Sequence, residues 1–235
     1  MSTTRDKIGK PPGSLEYVGK YPTSRSRITH LRYNAYEYHV DTQEVEDPES
    51  ISLSVKSNKI NWVNIDGLAP DIVSYIGDHF QLHPLLIEDL LNTEERPKVE
   101  EFEDYIFFSL KMIQPSSTPD KIIAEQLTVL LGDHYVITFQ ETQQDLFEPL
   151  RKRINSNKGM IRTRGADFLA YRIMDIVVDN YFFLADDMDK QISKLEKRIL
   201  AEQAQDITNK IQKLKKKLLT LRRHLGPLRE EVGNY

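Results

Sequence analysis

The sequence predicts an α/β domain with a mixed β-sheet, followed by a long antiparallel helical hairpin. Two observations support this fold class. Over residues 12–160, runs rich in β-branched and aromatic residues alternate with segments of helical pattern. From about Thr163 onward, apolar residues recur at helical spacing in two long runs, and a short polar link separates the runs. We therefore divide the chain into a domain of residues 1–162 and a hairpin of residues 163–235.

The first half of the domain contains three predicted strands. The first ten residues are polar and are expected to be loose, and a Pro-Pro-Gly turn then precedes a short strand within residues 11–21. Residues 26–40 are rich in β-branched and aromatic side chains and predict one strand, and the acidic residues 41–50 predict a connection. Residues 60–66 predict another strand, which a turn at Asp66 and Gly67 ends.

The second half of the domain mixes helices and strands. Residues 70–80 begin with a proline that suits the first turn of a helix, and residues 105–113 form an apolar run that predicts a buried strand. Residues 125–140 read as two strands joined by a Gly-Asp loop, which is a hairpin signature. Residues 144–159 predict a helix that ends near Asn157-Lys158-Gly159, whereas the acidic residues 94–104 predict surface.

The hairpin is predicted from the spacing of its apolar residues. In the first arm they recur over some nine turns (Leu169, Ile173, Val177, Tyr181, Leu184, Met188, Ile192, Leu195, Ile199). In the second arm they form a heptad seam (Ile211, Leu214, Leu218, Leu221, Leu225, Leu228), and Gly226-Pro227 is expected to bend it. The first arm is rich in Asp and the second in Lys and Arg. This favours a solvated hairpin over a lipid-binding surface.

Composition excludes several classes of function. The net charge of −4 gives no reason to expect nucleic-acid binding. The chain has no cysteine, which excludes disulfides, thiol nucleophiles and cysteine-ligated zinc. Residues 1–13 have no apolar core of a secretory signal, and no run of about 18 apolar residues predicts a membrane span. Without a P-loop, GxGxxG or GxSxG motif, the chain is not expected to be an enzyme.

Adjacent carboxylates interrupt an apolar helical segment at Glu88 and Asp89. Neighbours on a helix diverge by about 100°, so these two would serve two sites or two partners more naturally than one ion. Asp175 and Asp179 are four residues apart on one helical face and would repel each other unless a cation lay near them. Carboxylates without thiolates or clustered imidazoles suit Mg²⁺. The same acids also fit solvent-exposed positions on amphipathic helices, and both interpretations stay open at this point.

His79 and His83 have the spacing of two metal-binding histidines on a helix, but the glutamate of an HExxH motif is missing between them. Pro84 also disfavours helical geometry at His83. Ordinary histidines at a helix end are therefore the expected interpretation.

Several segments together resemble the cytoplasmic N-terminal region of the CorA family of magnesium and cobalt channels. The longest is HPLLIEDLLNTEERPKVEEFEDYIFFSLKM, which begins at His83; PPGSLEYVGKY, NWVNIDG, FQE and the run from Ala166 to Glu196 accompany it. The resemblance extends from about Pro11 to Arg229. It implies an α/β/α sandwich with a mixed sheet, followed by two long "willow" helices, with a stalk helix, two membrane spans and a Gly-Met-Asn pore signature expected beyond Tyr235.

The resemblance also implies a function. Mg²⁺, with Co²⁺ also possible, is expected to bind between the subunits of a homopentamer at the cytoplasmic face of the membrane and to hold the pore closed. Asp89 matches the family's intersubunit ligand, and Glu88 with Asp175 matches a second nearby site. Asp179 is added because it shares the helical face of Asp175.

Two alternatives accompany the expectation of a Mg²⁺/Co²⁺ channel. A zinc-transporting relative has a related fold, although the lack of cysteine and of clustered histidine favours Mg²⁺. A free-standing soluble protein, in which the helical hairpin mediates interactions and no transport occurs, is the alternative from another class.

Overall fold

The computed structural model describes residues 15–116, 122–142, 146–200 and 207–233. Seven strands form one sheet, and their bounds are β1 Ser26–Tyr33, β2 Tyr38–Val45, β3 Ile60–Asp66, β4 Lys98–Glu101, β5 Tyr105–Pro115, β6 Ile122–Gly132 and β7 Tyr135–Gln140. The helices are α1 Pro70–His79, α2 Pro84–Leu91, α3 Glu148–Asn155, α4 Ala166–Leu200 and α5 Ile207–Gly233. The prediction of a loose N-terminus and that of a polar link between the long helices concern residues outside these ranges.

The sheet is mixed, as predicted. Its strand order is β2-β1-β3-β7-β6-β5-β4. Only the central β3 and β7 pair in parallel, and every other neighbouring pair is antiparallel. The long β5–β6 pairing and the β6–β7 hairpin confirm the strand predictions for residues 105–113 and 125–140.

Two hydrophobic cores lie on opposite faces of this sheet. Successive side chains of a strand point to opposite faces, and accordingly Trp62 belongs to one core while Val63 and Ile65 belong to the other. The core of Trp62 is covered by α3 and α4, and the core of Ile65 is covered by α1 and α2. This three-layer arrangement confirms the expected α/β/α sandwich.

The first strand predictions need correction. Residues 11–21 were expected to contain a strand, but in their described part Val18 makes only an isolated bridge to Asn92. Residues 26–40 form a hairpin rather than one strand, and the predicted acidic connection continues as β2 as far as Val45. Asn34 makes the turn, because its side-chain oxygen accepts hydrogen bonds from the backbone N–H groups of Tyr36 and Glu37. The surface segment 94–104 also contains the edge strand β4.

Helices α4 and α5 run antiparallel. Leu195 and Leu214 line one cavity between the helices, and Met188 and Leu221 line another. Residues late in α4 therefore lie near residues early in α5, as in an antiparallel pair. The predicted seam is only partly buried: Leu221 is in the core, but Leu218 is 58% exposed. The helix α5 continues through Pro227, and the bend expected there stays a prediction.

Candidate metal centre

Helix α2 presents Glu88 and Asp89 at the surface of the domain. Pro84 occupies its first turn, and His83 caps it, since its Nδ1 accepts a hydrogen bond from the Leu85 N–H at 3.3 Å. The buried side chains of α2 are Leu86, Ile87, Leu90 and Leu91. The two carboxylates are therefore left on the partly exposed side of a helix whose other side belongs to the core on this face of the sheet.

Asp89 is paired with a lysine that could not be identified from the sequence pattern. Lys98 Nζ on β4 lies 2.6 Å from Asp89 Oδ2 and 3.0 Å from Glu100 Oε1. Burial alone would lower the pKa of Lys98, but the hydrogen bonds to Asp89 and Glu100 raise it. The ammonium is thus charged at neutral pH and competes with any cation for Asp89. The available signal was that two basic residues, Arg96 and Lys98, interrupt the acidic segment 94–104.

Asp175 and Asp179 lie on successive turns of α4. Arg172 Nη1 donates to Asp175 Oδ2 at 2.6 Å, and the Asp175 side chain is 29% exposed. Asp179 is exposed. On the same helix, Ile173 and Val177 point into the core. The two Asp side chains therefore face away from the sheet, as the predicted helical face requires.

The fold keeps the α2 carboxylates apart from those of α4. Helix α2 contributes to the core on one face of the sheet and α4 to the core on the other face. Consistent with this separation, the described residues contain no group of three or more His, Asp or Glu side chains that could hold a metal ion. Within the described part of one chain, the two pairs therefore do not form a common group of ligands.

The two histidines behave as the sequence indicated. His83 has an extended backbone and serves as a helix cap, and His79 ends α1 with its ring against Phe80. Pro84 explains the extended conformation, since the residue before a proline disfavours helical geometry.

A buried polar network behind α2 was not predicted. Lys111 Nζ donates to the Thr93 carbonyl and to Gln126 Oε1. Gln126 in turn donates through its side chain to the Asp89 carbonyl at 3.5 Å, and its backbone N–H donates to Glu141. Burial lowers the pKa of Lys111 to about 8. A charged residue within an apolar strand, such as Lys111 in β5, was the sequence feature that could have indicated this network.

Glu125 lies beside this network on β6. It is fully buried; its carboxylate accepts hydrogen bonds from Gln114 Nε2 at 2.9 Å and from Thr142 Oγ1 at 2.6 Å. Burial, together with the nearby charge of Glu141, raises its pKa to about 7. A carboxyl group with this pKa changes charge near neutral pH.

Of the helices that the structure describes, none has an apolar stretch long enough to cross a bilayer.

Comparisons with known proteins agree with the fold and the resemblance. A family model described as "CorA-like Mg2+ transporter protein" matches residues 57–234. The cobalt/magnesium transport protein CorA of Thermotoga maritima is 38% identical over 229 residues, which make up 97% of this chain and 64% of that protein. The chain thus spans slightly less than two thirds of that relative's length.

Solved structures of low sequence identity share the fold. The soluble domain of CorA from Methanocaldococcus jannaschii superposes with a TM-score of 0.66 at 19% identity, covering 86% of this chain and 76% of that one. The ZntB cytoplasmic domain from Vibrio parahaemolyticus superposes with a TM-score of 0.63 at 15% identity, covering 88% and 78%. At these identities the matches establish the fold alone.

Proposed function

Because this chain belongs to the CorA-like Mg²⁺ transporter family, we propose that it is the divalent-cation-sensing region of a Mg²⁺/Co²⁺ channel. The members of this family are transporters rather than enzymes. In the proposal, residues 1–162 are the α/β/α domain and residues 163–235 the two long helices, at the cytoplasmic face of a membrane. Five copies assemble, and Mg²⁺ bound between them favours the closed state.

The observation that carries the proposal is the separation of the two carboxylate pairs. Glu88 and Asp89 lie on one side of the sheet, and Asp175 and Asp179 belong to the helix on the other side. Because the two helices cover opposite faces of the sheet, an ion that binds both pairs is expected to take them from two neighbouring chains. This arrangement supports half-sites that assembly completes, with Asp89 in one site and Glu88 and Asp175 in a second.

The switch follows from electrostatics. Carboxylates of adjacent subunits repel each other across an interface, and a divalent ion between them reverses the sign of that interaction. The ion shifts the equilibrium only by its difference in affinity for the closed and open states. Mg²⁺ keeps much of its water and takes few carboxylates, so the affinity is expected to be weak. A weak site suits a sensor of an abundant ion.

Thermal unfolding in the presence of Mg²⁺ tests the sensing role. We expect millimolar Mg²⁺ to raise the melting temperature of the protein, and Asp89→Ala or Asp175→Ala to reduce this rise. Asp78→Ala is the matched control, because Asp78 is an exposed acid on α1 and is not one of the proposed ligands. Identical melting curves and hydrodynamic size with and without Mg²⁺, for the longest natural form of the protein, would exclude the sensing role. Parallel titrations with Co²⁺ and Zn²⁺ distinguish a zinc-transporting relative.

The gene sequence beyond codon 235 tests the channel part of the proposal separately. We expect a long helix and then two apolar spans of about 20 residues, with Gly-Met-Asn between them. A stop codon directly after Tyr235 would contradict the channel and favour a free-standing interaction protein.

A further inference from the structure

A cavity of about 760 Å³ lies between helix α5 and the α/β domain. On the domain side it is lined by residues 93–97 after α2, by β5 and β6, and by Glu141 after β7. On the other side it is lined by one face of α5, from Thr220 to Glu230. The volume is in the range of small-molecule sites, which is roughly 300–1,000 Å³. None of the four carboxylates discussed above lines this cavity.

The wall of the cavity contains a buried ammonium group. Lys111 is only 6% exposed, and its Nζ donates to the Thr93 carbonyl oxygen at 2.5 Å and to Gln126 Oε1 at 3.0 Å. Both acceptors are neutral, and the charges of Glu141, Glu95 and Glu94 also act on the ammonium. Since an ammonium has three N–H donors, one remains for a ligand. A buried charge without an ion pair is costly to maintain.

Further cations surround the same space. Lys20, Arg96 and Arg223 line the cavity together with His224. Burial, followed by the positive charges of Lys111, Arg223 and Lys20, lowers the pKa of His224 to about 4. The imidazole is therefore neutral at physiological pH, and its environment is electropositive. An anion would be favoured beside His224, whereas the cavity as a whole is lined by four cationic residues (Lys20, Arg96, Lys111 and Arg223) and four glutamates (Glu94, Glu95, Glu141 and Glu230).

The acidic residues of the wall are partly engaged elsewhere. The Glu141 carboxylate accepts hydrogen bonds from the Tyr17 hydroxyl and from the Gln126 backbone N–H. Glu95 accepts one from Asn92 Nδ2 at 2.6 Å. Glu94 and Glu230 are exposed at the rim. These hydrogen bonds leave the carboxylates charged, and Glu141, Glu95 and Glu94 also act on the Lys111 ammonium. The most cationic part of the cavity is therefore the space around His224, where Lys111, Arg223 and Lys20 meet.

We propose that this cavity binds a phosphorylated small molecule, with phosphate oxygens accepting hydrogen bonds from the Lys111 ammonium and the Arg223 guanidinium. A phosphate presents several acceptor oxygens, and guanidinium groups match its geometry. Free phosphate would fill only a small part of the volume, so a larger body attached to the phosphate is required. The bound molecule would bridge β5 and α5. The site uses none of the proposed metal ligands, so it can exist whether or not the metal-sensing proposal holds.

Isothermal titration calorimetry of the purified protein tests this site, with ATP and inorganic phosphate as probes. Divalent ions are removed with EDTA, so that metal binding does not contribute to the heat. We expect ATP to bind with 1:1 stoichiometry and more tightly than inorganic phosphate. Lys111→Met should weaken ATP binding by about tenfold or more, as expected for a lost charged hydrogen bond. Lys216→Met is the matched control: it removes an exposed lysine of α5 outside the cavity and should change affinity by less than about twofold.

A second variant, which fills the cavity, keeps the test decisive if Lys111→Met fails to fold. A Cβ added at Gly226 meets no atom within 4 Å, and leucine favours the helix more than glycine does. Gly226→Leu should therefore fold normally and still abolish ATP binding, without removing any charge. Absence of ATP binding to the unmodified protein would overturn the proposal. Equal losses in Lys111→Met and Lys216→Met, or unchanged binding in Gly226→Leu, would overturn it too, because either result indicates general attraction to the basic helix.

Discussion

Lys98 controls how Asp89 can take part in metal binding. Its ammonium lies 2.6 Å from the Asp89 carboxylate, at the place where a cation would bind. A metal ion at Asp89 must therefore displace this lysine or share the carboxylate with it. The cost of displacement contributes to the weak affinity that a sensor of an abundant ion needs.

Lys98→Met should strengthen Mg²⁺ binding at this site. The substitution removes the competing charge and leaves Asp89 and Glu100 to attract the ion, so the Mg²⁺ concentration at half-effect should fall about five- to tenfold. Mg²⁺ titrations followed by thermal melting measure this concentration. Lys56→Met serves as control, because Lys56 is exposed in a loop. An unchanged midpoint in Lys98→Met would mean that Asp89 binds no metal.

Glu125 should make stability depend on pH. Its pKa is about 7 in the folded protein, against an ordinary value of 4.5. Between these values the folded state holds a proton that the unfolded state has released, so this group lowers stability as pH rises. Glu125→Gln keeps the shape of the side chain and has no proton to lose. Its amide has one acceptor oxygen instead of two, so the test uses the change of the stability difference with pH and not its absolute size. The free energy of unfolding of Glu125→Gln, relative to that of the parent, should increase by about 3 kcal/mol between pH 4.5 and pH 7.

Urea unfolding of the parent and of Glu125→Gln, at steps between pH 4.5 and 7.5, measures that difference. The range stops below pH 8 because the pKa of Lys111 is about 8, and its deprotonation in the folded state adds an opposite slope above that value. A difference that stays constant across the range would show that Glu125 titrates normally.

At the scale of secondary structure, Tyr181 attaches the long helix α4 to the sheet. It is buried in the middle of α4, and its hydroxyl donates a hydrogen bond to the Lys111 carbonyl on β5. This contact ties the hairpin to the strand that carries the buried lysine.

Tyr181→Phe should lower the free energy of unfolding by about 1 kcal/mol, because it removes this buried hydrogen bond and little volume. Tyr171→Phe on the same helix is the control; Tyr171 is 54% exposed and should change stability little. Chemical denaturation of both variants gives the comparison. Equal effects of the two substitutions would exclude a specific role for Tyr181 in holding α4.

Elements with strong local patterns were predictable, and those set by tertiary context were not. The apolar run of β5, the Gly-Asp hairpin of β6 and β7 and the long helices all followed from periodicity. The β1–β2 turn was missed because Asn34 makes it through side-chain hydrogen bonds within a continuous β-like composition. Edge strand β4 was missed because its acidic sequence does not favour a strand, and only pairing with β5 supports it.

At the scale of the whole molecule, the candidate ligands were predictable as residue types but not as a site. Asp175 and Asp179 share a helical face in the sequence and in the structure. Nothing in the sequence pattern could place the sheet between α2 and α4, because that depends on which strand faces each helix covers. Lys98 likewise reaches Asp89 only through the edge pairing of β4.

Cross-linking between chains tests most directly whether the carboxylates of α2 meet those of α4 on a neighbouring copy. The chain has no cysteine, so Leu85→Cys on α2 and Val178→Cys on α4 each introduce a single thiol next to the candidate ligands and leave all four carboxylates intact. Both positions are exposed. The two variants, carrying different tags, are mixed and treated with a short thiol-specific cross-linker in Mg²⁺ or in EDTA. We predict cross-links between differently tagged chains that increase with Mg²⁺ and decrease when Asp89→Ala is added. No cross-link between the two tags in Mg²⁺ would contradict metal sites shared between subunits.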